Sequence, residues 1–291
     1  MHPLVHAIIA AITAALDYIW IRESERRGIV AADLHKPYEK LCPRIGALPN
    51  SIILPLALAL VGMKETALIS LFLSFIGLVD DVIGLRNMEK VVFAGIPFLI
   101  IQGHPVLFIP ALLFPLISFL FGSFSSNATN TLAGYNGLET GLISIIACFM
   151  TIISSIQGNL TALDAYLMVL SCYLPFLIFN FYPARAFPGN VATFQMGGVV
   201  AAIALANKQE IALGIMMIPY FADFLLKMMS YKATFMKIPA RVDENGYISP
   251  PGNLSLVGVL LRIRRMKELQ LVASIWAIEL IFCLISLGLM L

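Results

Sequence analysis

Long apolar runs recur along the chain, and short polar segments separate them. Most runs approach the roughly 20 residues that an α-helix needs to cross the hydrocarbon core of a bilayer. We therefore predict an all-α polytopic membrane protein with about ten transmembrane helices, nine being the alternative count. The predicted spans are 3–21, 46–62, 66–83, 91–102, 105–122, 138–157, 163–179, 191–206, 209–226 and 270–290.

The composition agrees with this pattern. Of the 291 residues, 59% are hydrophobic and only 12% are charged, which is about half the charged fraction of a soluble domain. No soluble domain is apparent, so we expect a single membrane domain over residues 1–291 and no nucleic-acid partner. The four cysteines are scattered without paired spacing, which favours small buried side chains over disulfides or zinc ligands.

Basic residues are distributed unevenly between the loops. With ten spans, alternate loops share a side of the membrane, and one side holds 17 of the 19 Lys and Arg residues. Only Lys64 and Lys208 fall on the other side. Because basic loops stay in the cytoplasm, we predict that both termini lie outside and that the polar motifs face the cytoplasm.

The last loop on this side, 227–269, contains an apolar segment followed by clustered arginines, between Asn253 and Arg265. That pattern predicts an amphipathic helix in the cytoplasmic interface. The helix could anchor the domain to anionic lipid or line a substrate site. The sequence supports both interpretations equally.

Two adjacent carboxylates, Asp80 and Asp81, stand at the end of the third apolar run. Charges at that depth are costly to desolvate unless they are paired, hydrated or bound to metal. Neighbouring residues on a helix point about 100° apart, so the two are not expected to act identically. A functional role is one interpretation. The other is that the pair ends the span and neutralises Arg86 and Lys90.

A second motif is rich in asparagine and glycine. Asn127 and Asn130 are three residues apart and share a face if the segment is helical. Gly134 and Asn136-Gly137 then predict a turn whose backbone N–H groups suit a phosphate or the edge of a nucleobase. The alternative is an ordinary Asn-rich turn between spans.

A third motif includes Pro183, Phe187, Pro188-Gly189 and Asn190. Pro and Gly predict an irregular segment before the next span, which is tolerated at membrane depth where protein or a hydrated cavity satisfies the backbone. The ring of Phe187 could stack on a base or simply pack in the interior.

All three motifs, together with the basic segment 232–241, fall on the predicted cytoplasmic side. Mg²⁺ prefers oxygen ligands and substrate phosphates, and cations neutralise the remaining phosphate charge. Carboxylates, amides and cations on one face therefore predict a site for a magnesium–diphosphate ligand.

These residues resemble the motifs of the polyprenyl-phosphate N-acetylhexosamine-1-phosphate transferases, ten-span enzymes that start lipid-linked glycan synthesis. The resemblance covers almost the whole chain. It rests on Asp33-Leu-His-Lys36-Pro, Asp80-Asp81, the 127–139 segment, Ala184-Arg-Ala-Phe-Pro-Gly-Asn190 and Ile238-Pro239. The version Ala133-Gly-Tyr-Asn-Gly-Leu-Glu139 is similar to the eukaryotic and archaeal dolichyl-phosphate branch. The segment 227–269 contains no histidine, which argues against the muramoyl-pentapeptide substrate of bacterial relatives.

The resemblance implies transfer of GlcNAc-1-phosphate from UDP-GlcNAc to a polyprenyl (dolichyl) phosphate, giving polyprenyl-diphosphate-GlcNAc and UMP. This would be the first membrane step of lipid-linked glycan synthesis, such as N-glycosylation. The implied location is the cell or endoplasmic reticulum membrane with the active site facing the cytoplasm. The implied assembly is a homodimer.

Roles for single residues follow from the same resemblance. Asn130 and Asn190 would bind Mg²⁺, with Mn²⁺ as an alternative ion. The residues implied as catalytic are Asp80 and Asp81, which would organise metal and acceptor phosphate, and Lys90, which would contact phosphate or sugar. The residues implied in substrate binding are Lys36, Asn127, Gly134, Asn136, Glu139, Arg185, Phe187, Lys237 and Arg241. Of these, Phe187, Gly134 and Asn136 would hold uridine, and Lys237 and Arg241 would lie near the sugar and diphosphate.

Asn190 departs from the family pattern, which usually has Asp after Phe-x-Gly. An amide offers a neutral oxygen and removes one negative charge, so weaker Mg²⁺ binding is expected. A tolerated natural variant, an inactive paralogue and an engineered substitution would each explain it. A catalytically inactive scaffold and a secondary transporter are the alternatives to an enzyme. A transporter site would lie near the membrane midplane between repeated halves.

Overall fold

The computed structural model describes residues 2–107, 109–230 and 240–291, most of them helical. The α-helices in these ranges are α1 (Pro3–Arg26), α2 (Asn50–Leu60), α3 (Lys64–Ile83), α4 (Asn87–Gly95), α5 (Phe114–Leu132), α6 (Leu138–Ile156), α7 (Leu160–Asn180), α8 (Asn190–Ala206), α9 (Glu210–Met216), α10 (Ile218–Met229), α11 (Leu256–Ile263) and α12 (Glu268–Met290). Short 3-10 helices cover Ile96–Ile100 and Ala111–Leu113.

The structure also contains two small antiparallel sheets, which the predicted all-α class did not include. Strands β1 (Val30–Ala32) and β2 (Leu41–Pro43) pair directly after α1, with Ala31 opposite Cys42. Strands β3 (Tyr247–Ile248) and β4 (Met266–Lys267) pair just before α12. The fold is therefore a helical bundle with a short sheet at two of its polar loops.

Several helices are long and apolar enough to span a membrane. Six in the described ranges meet this test: α1, α3, Ala111–Leu132, α6, α7 and α12. The pair α9 and α10, bent by 56°, counts as a seventh if it forms one broken span. The protein is thus a polytopic membrane protein, as the apolar runs predicted. The other three predicted spans correspond to shorter helices: α2, α4 with its 3-10 extension, and α8.

The fifth predicted span, 105–122, is wrong at both ends. Residues before Ala111 form a turn in which Val106 bridges to Ile109. Pro105 and Pro110 flank this turn, and proline disfavours the helical conformation in the residue before it. The helix instead runs on to Leu132.

Helix α8 is the centre of the bundle. All residues from 191 to 205 are buried, and α8 packs chiefly against α3 and α5. Its Gln195 accepts a hydrogen bond from the Tyr173 hydroxyl (2.5 Å) and donates one to Ser70 (2.9 Å). The remaining helices therefore surround a short helix whose polar side chains are satisfied internally.

One end of the bundle collects the helix ends that carry the predicted motifs. Asp81 at the end of α3 contacts the start of α8, and Glu268 at the start of α12 contacts the loop between α5 and α6. Lys227 near the end of α10 donates a hydrogen bond to the Thr131 carbonyl at the end of α5 (2.6 Å). The sheet β1–β2 reaches the same end, because Lys40 donates to the Ala184 carbonyl just after α7 (2.6 Å).

Helix α11 lies where the sequence predicted an amphipathic helix. Its Val257 and Leu261 are buried, while Ile263 and the following Arg264 are exposed. It packs against α10 and α12. The helix and its two-sided character are confirmed, and its buried face meets protein.

Candidate active site

The site forms where α3 ends and α8 begins. The Asp81 carboxylate accepts hydrogen bonds from the backbone N–H groups of Asn190 (3.1 Å) and Val191 (2.9 Å). The first N–H groups of a helix have no partner inside the helix, and a carboxylate there also meets the positive end of the helix dipole. Asp81 therefore links the end of α3 to the start of α8. Arg44 also donates a hydrogen bond to the backbone carbonyl of Asp81 (2.9 Å).

Gly77 allows this close approach of α3 to α8. It lies one turn before Asp81, and a Cβ at position 77 would overlap the backbone of Asn190 and Val191. A side chain of any size at this position would push the two helix ends apart. The glycine thus determines how near the carboxylates come to α8.

Asp80 is buried beside Asp81 but has different partners. Its Oδ1 accepts the Leu85 N–H (2.8 Å), and its Oδ2 accepts the side-chain amide of Asn190 (2.8 Å). The same Oδ2 lies 2.7 Å from the Lys90 ammonium nitrogen, and the Lys90 side chain keeps 23% of its exposure against 2% for Asp80. Asp80 therefore holds a partly exposed cation. The Asn190 amide donates a hydrogen bond to Asp80, whereas a carboxylate at position 190 would repel Asp80.

A second side-chain amide, that of Asn130, contacts the first turn of α8. Thr193, one turn along α8 from Asn190, donates a hydrogen bond to Oδ1 of Asn130 on α5 (2.8 Å). Asp80, Asn130 and Asn190 thus bring oxygen atoms from three helices to the start of α8. Hard oxygen donors of this kind suit Mg²⁺.

Asn127 has a different surrounding. It lies on the same helix as Asn130, so the helical spacing predicted for the pair is confirmed. Its Nδ2 donates to the carbonyls of Ser123 (2.9 Å) and Lys90 (3.3 Å). Asn127 therefore supports the segment that carries Lys90. It does not line the cavity that lies beside the start of α8.

A cavity of about 300 Å³ opens beside the start of α8. Residues of the second and third motifs border it together, although about 50 positions separate them in sequence. Six residues that the sequence predicted for the site line the cavity: Asp81, Gly134, Asn136, Glu139, Phe187 and Asn190.

Glu139 is one of the acidic residues of this lining, with Asp33 and Asp81. It lies in the first turn of α6 with 5% of its surface exposed. Its Oε2 has no hydrogen-bond partner among the described residues. Buried polar atoms without a partner are rare, so Glu139 is an unusual feature of this part of the cavity wall.

Lys36, which the sequence predicted to bind substrate, has internal partners in the structure. Its fully buried ammonium group is paired with Glu268 and lies 3.1 Å from Oδ2 of Asp33. It also lies 4.5 Å from the ring centroid of Tyr182. Burial lowers the pKa of Lys36, but the hydrogen bonds and charges of Glu268 and Asp33 outweigh burial and leave it raised. Lys36 is thus an internal cation whose charge Glu268 and Asp33 balance.

The loop at residues 134–137 lies against this ion cluster. The backbone N–H of Asn136 donates to Glu268 (2.7 Å), and its side-chain amide donates to Asp33 (3.0 Å). The rings of His35 and Tyr135 stack with centroids 4.2 Å apart. Gly134 has a φ of +122°, which only glycine adopts readily.

Donor atoms of Asp33, His35 and Glu268 lie within 4.8 Å of one another, a spacing that could hold a metal ion. The Lys36 ammonium group already bridges the two carboxylates. The charge that a cation would supply here is therefore present in the protein. Burial, foremost, lowers the pKa of His35, so its imidazole is neutral at pH 7.

Besides Lys36 and Asn127, two predicted substrate residues in the described ranges, Arg185 and Arg241, do not line the cavity. Arg185 lies over the Phe179 ring (5.2 Å), and it lines a second cavity of about 210 Å³ with Arg22 and Lys40. Arg241 lines a third cavity, of about 410 Å³, beside Arg265. Lys237 lies outside the described residues.

Sequence reasoning did not select Asp33, His35, Arg44, Thr193 or Glu268. Asp33 and His35 belong to the sequence motif that contains Lys36, so their position near the site could have been predicted from that motif. Glu268 had none, because an acidic residue in the first turn of a helix is common on dipole grounds alone.

Comparison with known proteins agrees with this picture. Residues 65–208 match the sequence model of glycosyl transferase family 4. A protein of Saccharolobus solfataricus, provisionally named a UDP-N-acetylglucosamine–dolichyl-phosphate N-acetylglucosaminephosphotransferase, is 30% identical over 97% of this chain and 95% of its own length. A provisionally named glycosyltransferase of Methanocaldococcus jannaschii is 32% identical over 88% of this chain and 86% of its own length. A phospho-N-acetylmuramoyl-pentapeptide-transferase of Acetivibrio thermocellus is 27% identical over 75% of this chain and 58% of its own length.

The fold and the site define a polytopic membrane protein with a polar site at one end of its helix bundle. The match to the family model and the long alignments with relatives identify the family of this membrane protein. The chain belongs to glycosyl transferase family 4.

Proposed function

We propose that the protein transfers N-acetylglucosamine 1-phosphate from UDP-N-acetylglucosamine to a dolichyl or other polyprenyl phosphate and releases UMP. The observation that carries this proposal is the Asp80–Lys90 ion pair, which the Asn190 side chain joins at the edge of a cavity. A fixed cation and neutral oxygens at one point suit a diphosphate and its metal ion. The name given to the Saccharolobus relative supports the same substrates.

The residues present fit a magnesium ion. Asn130 and Asn190 offer amide oxygens, and Asp80, which accepts a hydrogen bond from the Asn190 side chain, offers a carboxylate. When bound, the ion would neutralise phosphate charge and make the β-phosphorus more electrophilic. Mn²⁺ prefers similar oxygen ligands.

The side chains would act mainly by placing charge. An oxygen of the lipid phosphate forms a bond to the β-phosphorus, and the bond from that phosphorus to the bridging oxygen breaks, so that UMP leaves with the electron pair. The acceptor is largely ionised at pH 7 because its second pKa is about 6, so it needs no general base. Lys90, held by Asp80, would neutralise the phosphates, which is the main requirement of phosphoryl transfer.

The proposed membrane arrangement has ten crossings, with both termini outside and the site in the cytoplasm. Two observations support it. The ends of α3, α5 and α10 meet the starts of α8 and α12 at the site, as alternating crossings require. Placing this end in the cytoplasm agrees with the 17 of 19 basic residues assigned there. The chain would then form one membrane domain in the cell or endoplasmic reticulum membrane, and a homodimer stays a prediction.

Purified protein with Mg²⁺, UDP-GlcNAc and dolichyl phosphate tests the proposal. We expect UMP release that needs both the lipid acceptor and the metal. Asp80→Ala should lower the rate by about a hundredfold or more, because Lys90 loses its partner. Asn253→Ala, in the loop before α11 and remote from the cavity, is the control.

Two results would count against the enzyme. An absence of UMP release by both the native protein and Asn190→Asp would favour the inactive scaffold. Uptake of nucleotide sugar into vesicles without UMP release would favour a transporter, although the site lies at helix ends instead of near the midplane.

A further inference from the structure

An ion cluster joins three distant parts of the chain at the edge of the cavity: Asp33 and Lys36, the 134–137 loop, and Glu268. We propose that Asp33 and Glu268, linked by the Lys36 ammonium group, are positioning residues that hold this loop for the nucleoside part of the substrate. The inference rests on the proposed function and assigns roles that the proposed function does not require.

Each carboxylate bonds to Lys36 and to the loop at the same time. One oxygen of Glu268 binds Lys36, and the other accepts the Asn136 N–H (2.7 Å). Oδ2 of Asp33 lies 3.1 Å from the Lys36 ammonium nitrogen and 3.0 Å from the Asn136 side-chain nitrogen. Both the backbone and the side chain of Asn136 are therefore held by the cluster.

A second contact from α12 fixes the same region. Trp276, about two turns beyond Glu268, donates its indole N–H to the Leu138 carbonyl (3.2 Å). The indole also lies against Gly141, where a Cβ would overlap it. Helix α12 thus holds both the loop and the first turn of α6.

The net charge of the cluster gives the two ends of the cavity different electrostatic character. Two carboxylates face one ammonium group, and His35 adds no positive charge because burial lowers its pKa. The excess negative charge repels a diphosphate. Arg44 and Lys90 lie on the α8 side instead, so the loop side suits an uncharged nucleoside.

Stability alone does not account for the cluster. Buried ion pairs are often no more stabilising than apolar side chains of the same volume, whereas loss of a single partner leaves a costly buried charge. What apolar side chains cannot supply is the pair of acceptors for Asn136. The cluster therefore contributes geometry to the loop.

Substitution of Glu268 tests the inference without leaving a charge unpaired, because Lys36 keeps Asp33. Glu268→Ala should raise the KM for UDP-GlcNAc about tenfold or more and leave the KM for the lipid phosphate within about twofold. Glu268→Gln keeps an oxygen for the Asn136 N–H and should recover most of the loss. Glu279→Ala removes another buried carboxylate of α12 and is the matched control, with both KM values unchanged.

Binding of UDP alone gives a readout that needs no turnover. The chain has two tryptophans, Trp20 and Trp276, so Trp20→Phe leaves Trp276 as the fluorescent reporter of the loop. In this background Glu268→Ala should weaken UDP binding by the same factor as the KM changes. If UDP binds as tightly to Glu268→Ala as to the parent, the inference is overturned while the proposed function stands. If the parent neither binds UDP nor releases UMP, the proposed function fails and the inference fails with it.

A third variant covers the case in which Glu268→Ala does not fold. Replacing the cluster by Asp33→Leu, Lys36→Met and Glu268→Met together removes all three charges and preserves volume. We expect the variant to fold, because it leaves no buried charge unpaired, and its KM for UDP-GlcNAc to rise about tenfold or more. A stable triple variant with an unchanged KM would show that the charged cluster is not needed to hold the loop for the nucleoside, and would overturn the inference.

Discussion

At the scale of single residues, position 190 changes the chemistry of the site. The Asn190 amide donates to Asp80, whose charge Lys90 already balances. An aspartate in the same place would set two carboxylates against each other. The bonding favours the interpretation of Asn190 as a tolerated variant, because the amide is part of the network that holds Asp80.

Asn190→Asp should make the site depend more strongly on metal. The added carboxylate repels Asp80 without metal and supplies a charged ligand when Mg²⁺ is present. We expect a thermal midpoint in EDTA that is lower by a few degrees and is restored by Mg²⁺. The Mg²⁺ concentration for half-maximal UMP release should fall about tenfold, since ligand charge raises affinity.

Asn159→Asp is the matched control for this change. Asn159 caps α7 through its side chain, and Asp caps a helix as well as Asn does. Its midpoint should be insensitive to EDTA. Equal behaviour of the two variants with and without Mg²⁺ would exclude position 190 as a metal ligand.

Lys36 illustrates what sequence could not predict at this scale. A lysine in a basic loop is most simply expected to meet solvent or phosphate. Its partner Glu268 lies 232 positions away, and no local pattern connects the two. The aspartate pair, the shared face of Asn127 and Asn130, and the glycine turn were predictable because they depend on neighbours in the chain.

At the scale of helices and strands, the apolar runs predicted each helix of the bundle but not its irregularities. The run 91–102 is visibly short for a full crossing, whereas the short lengths of α2 and α8 and the break between α9 and α10 were not predicted. The break between α9 and α10 comes just before Pro219, whose ring lacks an N–H for the helix ladder. Helix α8 could be read as a span but not as the buried centre, since burial depends on which helices surround it.

The contact of α3 with α8 leads to a prediction about Gly77. Helix propensity favours Ala over Gly by about 1 kcal/mol, yet a Cβ at position 77 would overlap the Asn190 backbone. Gly77→Ala should therefore lower the free energy of unfolding by about 1–3 kcal/mol and reduce UMP release, because Asp80 moves away from Asn190.

Gly288→Ala provides the comparison within the same protein. Gly288 lies in α12, and a Cβ there would meet nothing within 4 Å. This variant should be as stable as the parent or slightly more stable in thermal unfolding in detergent. If Gly77→Ala behaves in the same way, the close approach of the two helices is not required.

At the scale of the whole molecule, the arrangement across the membrane can be tested by labelling single cysteines. In a variant without its four native cysteines, Lys64→Cys and Glu39→Cys mark opposite ends of the bundle. An impermeant maleimide should label Lys64→Cys in intact cells and Glu39→Cys only after permeabilisation, because basic loops stay inside. The reversed pattern, or labelling of both from one side, would contradict the ten-span arrangement.

The complete burial of α8 has a consequence for how the protein is made. A helix that no lipid touches gains little from the bilayer itself, and Gln195 would be costly there without Tyr173 and Ser70. Its neighbours α3 and α5 precede it in the chain, and synthesis proceeds from the N-terminus. Its two main packing partners are therefore synthesised before α8 leaves the ribosome, so α8 can pack against them as it enters the membrane.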